Sequence, residues 1–209
     1  MTGEKNKRGA VRDPGGIFGM ATQASPGLTR AVGFFDGISL WSGRIVGWLI
    51  FPMVLSLVWE VVARYVFNAP TIWAYDMTYM LYGTFFMLGS AYTLMRGGHI
   101  RTDSLYGGWS PRTQGIVDTL CYLVFFFPPL LALLYVTWDY FWVSFMRNER
   151  VVSSPWMPVV YPLKFVMPAS CTLLLLQGVA EMLRSIHAAR TGEWLPRPTL
   201  TPGVEKVDV

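Results

Sequence analysis

Four blocks without a charged side chain constrain this chain more than anything else in it. No Asp, Glu, Lys or Arg lies between Asp76 and Arg96, from Thr119 to Trp138, from Ile45 to Trp59, or from Phe165 to Ala180. A helix needs about 20 mostly apolar residues to cross the hydrocarbon of a bilayer, where its backbone must satisfy itself. The first two blocks reach that length unaided. The other two reach it once Arg44, Glu60, Lys164 and Glu181 are set near the interfaces, where long side chains snorkel. Only 14% of the residues are charged, against roughly a quarter in a soluble domain. Seven tryptophans (Trp41, Trp59, Trp73, Trp109, Trp138, Trp142 and Trp156) fall near the block ends, where an amphipathic indole prefers to lie. The expected fold is an all-α membrane protein with four transmembrane helices.

Start and stop signals set the spans. Residues 1–25 hold Lys5, Lys7, Arg8 and Arg12 among Gly, Pro and small polar residues, with no apolar core at signal-peptide distance. They read as a disordered basic tail. From Pro26 to Gly37, Leu28, Val32 and Phe35 recur at helical spacing with Thr29, Arg30 and Asp36 elsewhere on the wheel. That pattern predicts a short N-terminal interfacial helix. The first span runs from about 41 to 67 and ends at Asn68-Ala69-Pro70; the second runs from about 73 to 95 and stops at Gly97-Gly98. Ser110-Pro111 opens the third, about 111–145, with Ser as N-cap and Pro at the first helical position. Ser154-Pro155 offers the same device before the fourth, about 163–184. The membrane domain is thus 26–190, followed by a polar tail over 191–209. Pro52, Pro128-Pro129 and Pro168 fall inside spans and are expected to kink them, which neighbouring helices tolerate.

Basic residues near span ends give an orientation. Arg30, Arg44, Arg96, Arg101, Arg112, Arg184 and Arg190 lie on the side of the termini, against Arg64, Arg147, Arg150 and Lys164 on the other. Both termini are expected in the cytoplasm. The net charge of +4 is spread over tails and loops with no basic stripe, so it does not point to nucleic acid. Cys121 and Cys171 sit inside apolar blocks and read as packing residues.

Little in the chain suits catalysis. His99 and His187 are the only histidines and neither lies deep in a span, so haem between facing helices lacks ligands. His99 and Asp103 flank a turn without a nucleophile, and there is no phosphate loop, CxxC or HExxH. No catalytic, cofactor or metal residues are expected, and no enzyme. Glu60 and Arg64 stand i, i+4 near the end of the first span, and Trp73-Ala74-Tyr75-Asp76 opens the second. Arg64 and Asp76 across the short loop read either as a polar latch or as two independent snorkelling charges.

The string also resembles a known family. Arg64-Tyr65-Val66-Phe67-Asn68-Ala69-Pro70, then Trp73-Ala74-Tyr75-Asp76, then Gly98-His99-Ile100-Arg101-Thr102-Asp103 is similar to the small membrane (Q-type) subunit of tripartite ATP-independent periplasmic (TRAP) transporters, over about 35–184. The resemblance implies a multi-pass protein of the bacterial inner membrane without a cofactor. It further implies a scaffold role in sodium-coupled, secondary active uptake of an organic acid. The implied partners are a large multi-span subunit and an extracytoplasmic substrate-binding protein. Glu60, Arg64, Trp73, Asp76, His99, Arg101 and Asp103 become the candidate partner-interface residues. A four-span redox or anchor subunit, and a small homo-oligomeric channel, are the rival readings.

Overall fold

Packing, more than local signals, decides where the helices of this chain begin and end. The structure, a computed structural model, describes residues 26–97 and 108–195. Its elements are α1 (Pro26–Gly47), α2 (Ile50–Tyr65), α3 (Ala74–Met95), α4 (Pro111–Cys121), a π-helical turn (Tyr122–Phe126), α5 (Phe127–Met146) and α6 (Tyr161–Thr191). No β-strand occurs among the described residues. The tail expected over 1–25 and the one beyond Leu195 lie outside them.

The first helix departs from expectation. Instead of a short helix ending at Gly37, α1 runs on to Gly47 and, after Trp48-Leu49, continues as α2. The reason is a buried face that ignores Gly37: Val32, Asp36, Ser39 and Val46 recur at helical spacing against α3 and α6. The break at Trp48-Leu49 is the work of Pro52. Its ring displaces the carbonyl four residues back, that of Trp48, which instead accepts the N–H of Phe51 at 3.3 Å. Pro128 and Pro129 act similarly on the third helix. The strain upstream is absorbed by the π-helical turn, in which the Phe127 N–H reaches back to the Tyr122 carbonyl.

Among the described residues, three helical runs are long and apolar enough to cross a membrane: Gly27–Tyr65, Pro111–Met146 and Tyr161–Thr191. The 22-residue α3 is not among them, because Tyr, Thr, Gly and Ser dilute its apolar run. Ser110 caps α4 as the sequence indicates: it is extended (φ −64°, ψ 148°), accepts the Thr113 N–H at 3.4 Å, and is followed by Pro111. Ser154 does not cap α6, which starts at Tyr161 with Val160 before it and no side-chain cap. At its far end α6 passes Arg184 and continues two turns to Thr191, where Gly192 (φ 81°) closes it.

α6 is the central post. It packs against α1, α3, α4 and α5, while α3 also packs against α1 and α2. Outward, α2 exposes Leu55, Leu57 and Val58, and α5 exposes Leu131, Leu133 and Val136, as lipid-facing helices do.

Candidate functional site

The polar side chains gather at the two ends of this bundle. At the end bearing the loops α2–α3 and α5–α6, Glu60 is the hub of the first loop. Its Oε1 accepts Arg64 Nε at 3.0 Å and also Arg64 Nη2. Its Oε2 accepts the Thr71 N–H at 3.0 Å and the Thr71 hydroxyl. Asn68, tolerated in the left-handed conformation (φ 49°), turns the chain beyond α2, and the Ala69 N–H returns to the Ala63 carbonyl at 2.9 Å. Half-buried Trp73 supplies the first carbonyl of α3, accepting the Met77 N–H at 3.0 Å.

The latch between Arg64 and Asp76 is not formed. Arg64 is taken by Glu60, which stands one turn away on the same helix and needs no loop to bring it near. Asp76 accepts the hydroxyl of Ser154, which in turn accepts the Trp156 N–H at 3.2 Å. Asp76 therefore ties α3 to the second exposed loop. That loop is pinned again by Glu149, whose Oε2 accepts Lys164 Nζ at 2.6 Å, with the ammonium 3.7 Å from the centre of the Tyr140 ring. The Lys164 hydrogen bond holds the Glu149 carboxyl below the usual carboxylate range. A depressed pKa means the tie is complete above the ordinary value of 4.5 and is lost as pH falls through the lowered one.

Because Arg64 and Asp76 share no partner, Arg64→Ala and Asp76→Ala are expected to have additive effects on melting in detergent. Glu60→Ala, which releases Thr71 as well as Arg64, is expected to exceed Arg64→Ala. Measurable coupling in an Arg64/Asp76 double-mutant cycle would contradict this arrangement.

At the opposite end lies a constellation the sequence reading missed. Arg184, 1% exposed, donates from Nη1 to Glu181 Oε1 at 2.6 Å and from Nη2 to Asp36 Oδ2. Gln177 Nε2 donates to Asp36 Oδ1 at 3.0 Å, and Ser39 Oγ donates to Gln177 Oε1 at 2.6 Å. Two carboxylates, one guanidinium and one amide are thus buried between α1 and α6. Gln177, Glu181, Arg184 and Ser185 fall on one face of α6. That polar stripe is the available signal; the sequence reading sets only Glu181 at the interface and counts Arg184 for orientation. A third tie lies between these two ends, where Ser56 of α2 and Thr78 of α3 share a hydrogen bond of 3.0 Å.

His99, Arg101 and Asp103 lie outside the described residues. Among the described residues no group of three or more His, Cys, Asp or Glu could hold a metal ion.

A family model described as "Tripartite ATP-independent periplasmic transporters, DctQ component" matches residues 53–188. No curated protein matches the chain.

Proposed function

Since this chain belongs to the DctQ family, the small membrane components of tripartite ATP-independent periplasmic transporters, we propose that it is the fixed scaffold on which the large membrane component works. In this reading it holds that component at depth in the bacterial inner membrane while an extracytoplasmic binding protein delivers an organic acid, taken up with sodium. The chain crosses the bilayer four times, with α3 as the second span, and both termini are cytoplasmic. Arg64 and Trp73, and with them His99, Arg101 and Asp103, belong to the surface offered to the other components. Glu60 and Asp76 shape that surface from within.

The observation that carries the reading is how the polar interior is used. Asp36, Ser39, Gln177, Glu181 and Arg184 join α1 to α6, Ser56 joins Thr78, and Asp76 joins Ser154. Polar groups that bind helices to one another make a rigid body. A solute path needs polar groups turned toward a passage, with broken helices at mid-depth. Orientation draws on the basic residues again. With Arg184 and Lys164 set aside as buried cations held in ion pairs, six against three still favour cytoplasmic termini.

Vesicles holding this chain alone are expected to take up no organic acid, and vesicles holding all three components to show sodium-dependent uptake. Uptake by the chain alone would overturn the scaffold role. Alkaline phosphatase fused after Val209 is expected to be inactive and after Asn148 active; equal activity at both sites contradicts four spans.

A further inference from the structure

The two apolar stretches nearest the N-terminus each stop at an arginine, and the fold sets those stops at one level. Residues 45–59 carry no charge and begin after Arg44; residues 77–95 carry none and end before Arg96. Gly43 lies so close to Tyr92 that a Cβ there would meet its ring carbons at 2.5 and 2.7 Å. Each arginine stands within about one turn of that contact. Arg96 is held in place: its Nε donates to the Tyr92 hydroxyl at 3.1 Å, and its guanidinium lies 5.5 Å from the centre of the ring. Arg44 belongs to a row on the outer face of α1 and the turn after it, where Arg30, Phe34, Trp41, Arg44 and Trp48 recur at helical spacing. The three aromatic side chains of that row are 66%, 68% and 71% exposed. Among the described residues no carboxylate pairs with Arg30, Arg44 or Arg96. By contrast, Arg64 and Lys164 at the other end of the bundle are each held by a glutamate of the chain itself.

We infer that this face binds an anionic phospholipid, whose phosphate is met by Arg44 and Arg96 and whose acyl chain runs along Trp48. The inference rests on the reading of α3 as a span, which puts both arginines at the depth of the lipid phosphates. Depth and charge complementarity select the occupant. A guanidinium takes a phosphate through two parallel hydrogen bonds. Two such cations without a counterion are offset by a headgroup of net negative charge and not by a zwitterionic one. Exposed tryptophan at the same level suits the zone where headgroups give way to acyl chains. A carboxylate on another protein would have to displace phosphates that already stand at this depth, and is the competing outcome.

The test uses the full chain in vesicles of equal phosphatidylglycerol and phosphatidylcholine. Photoreactive benzoylphenylalanine replaces Trp48, or Leu57 on α2 as the reference, and the lipids captured on illumination are identified by mass. Relative to position 57, position 48 is expected to favour phosphatidylglycerol by about ten-fold or more, since each arginine near the surface favours anionic lipid about five-fold. With Arg44→Gln and Arg96→Gln together, the preference is expected to fall to that of position 57; with Arg44→Lys and Arg96→Lys it is expected to survive in part. The glutamine variant is expected to melt close to wild type in uncharged detergent, because both arginines are exposed. Equal preference at positions 48 and 57 overturns the inference, and so does a preference that persists in the glutamine variant. In vesicles that also hold the large component, capture of that protein from position 48 in place of lipid overturns it as well. The span is read separately, from phosphatase fusions after Ala69 and after Ser110. Equal activity at those two sites removes α3 as a span and this inference with it, whereas opposite activities with no lipid preference defeat the lipid site alone.

Discussion

Arg184→Met is expected to leave little folded protein, and joint replacement of Asp36, Glu181 and Arg184 by apolar residues to bring it back. The guanidinium lies between two carboxylates with almost no access to solvent. Without it, two buried negative charges face each other with only Gln177 to serve Asp36. Breaking a buried pair by removing one member costs about 3–5 kcal/mol, a large share of the 5–15 kcal/mol that typically separates folded from unfolded protein. Asp36→Asn is expected to be milder, since Glu181 keeps its ion pair and the amide oxygen still accepts hydrogen bonds. The combination Asp36→Leu, Glu181→Met and Arg184→Met removes every charge at once. Substitutions of that kind are often neutral or stabilising. Monodisperse yield and melting temperature in detergent rank the four proteins. If Arg184→Met alone matches wild type, the network does not hold α1 to α6.

The second large effect is expected from a single methyl group. A Cβ at Gly115 would lie 2.5 Å from both the Ala189 nitrogen and the Ser185 carbonyl oxygen, which are backbone atoms of α6. Neither can move without shifting the helix that every neighbour packs against. Gly115→Ala is therefore expected at or above the upper end of the roughly 1–3 kcal/mol usual for overpacking. Gly178 is a useful contrast. A Cβ there would come 2.2 Å from Phe126 Cε1, the far end of a side chain that has other rotamers. Gly178→Ala should lose less, and Phe126→Leu added to it should recover part of the loss, whereas no side-chain change is expected to rescue Gly115→Ala. The reverse order of melting temperatures would show that α4 does not seat on α6 as closely as the structure has it.

The local devices in this sequence were readable and the long-range ones were not. Ser110-Pro111 works as written because a cap needs only the next three residues. The consequence of Pro52 was foreseeable in kind, and its place follows from which carbonyl the ring displaces. Asp36 was assigned to an interfacial helix because a wheel drawn over twelve residues cannot know that Gln177 and Arg184 will meet it. Ser154-Pro155 has the form of an N-cap, yet Ser154 spends its hydroxyl on Asp76, 78 positions away in sequence. Glu60 and Arg64 were paired correctly by their spacing. Thr71 joined them only because the loop closes back on Glu60.

The place of α6 in the chain sets an order of events during synthesis. It leaves the ribosome after every other described helix, and α1, α3, α4 and α5 all pack against it. Until it is inserted, Asp36 waits in the membrane without the arginine that balances it, and the run from Pro111 to Met146 lacks its main neighbour. A nascent chain that has reached Val160 can therefore join α1, α2 and α3 to one another, while α4 and α5 still lack the helix they pack against. Arrival of α6, with Gln177 at its middle and Arg184 two turns before its end, is the moment at which the described helices become one body.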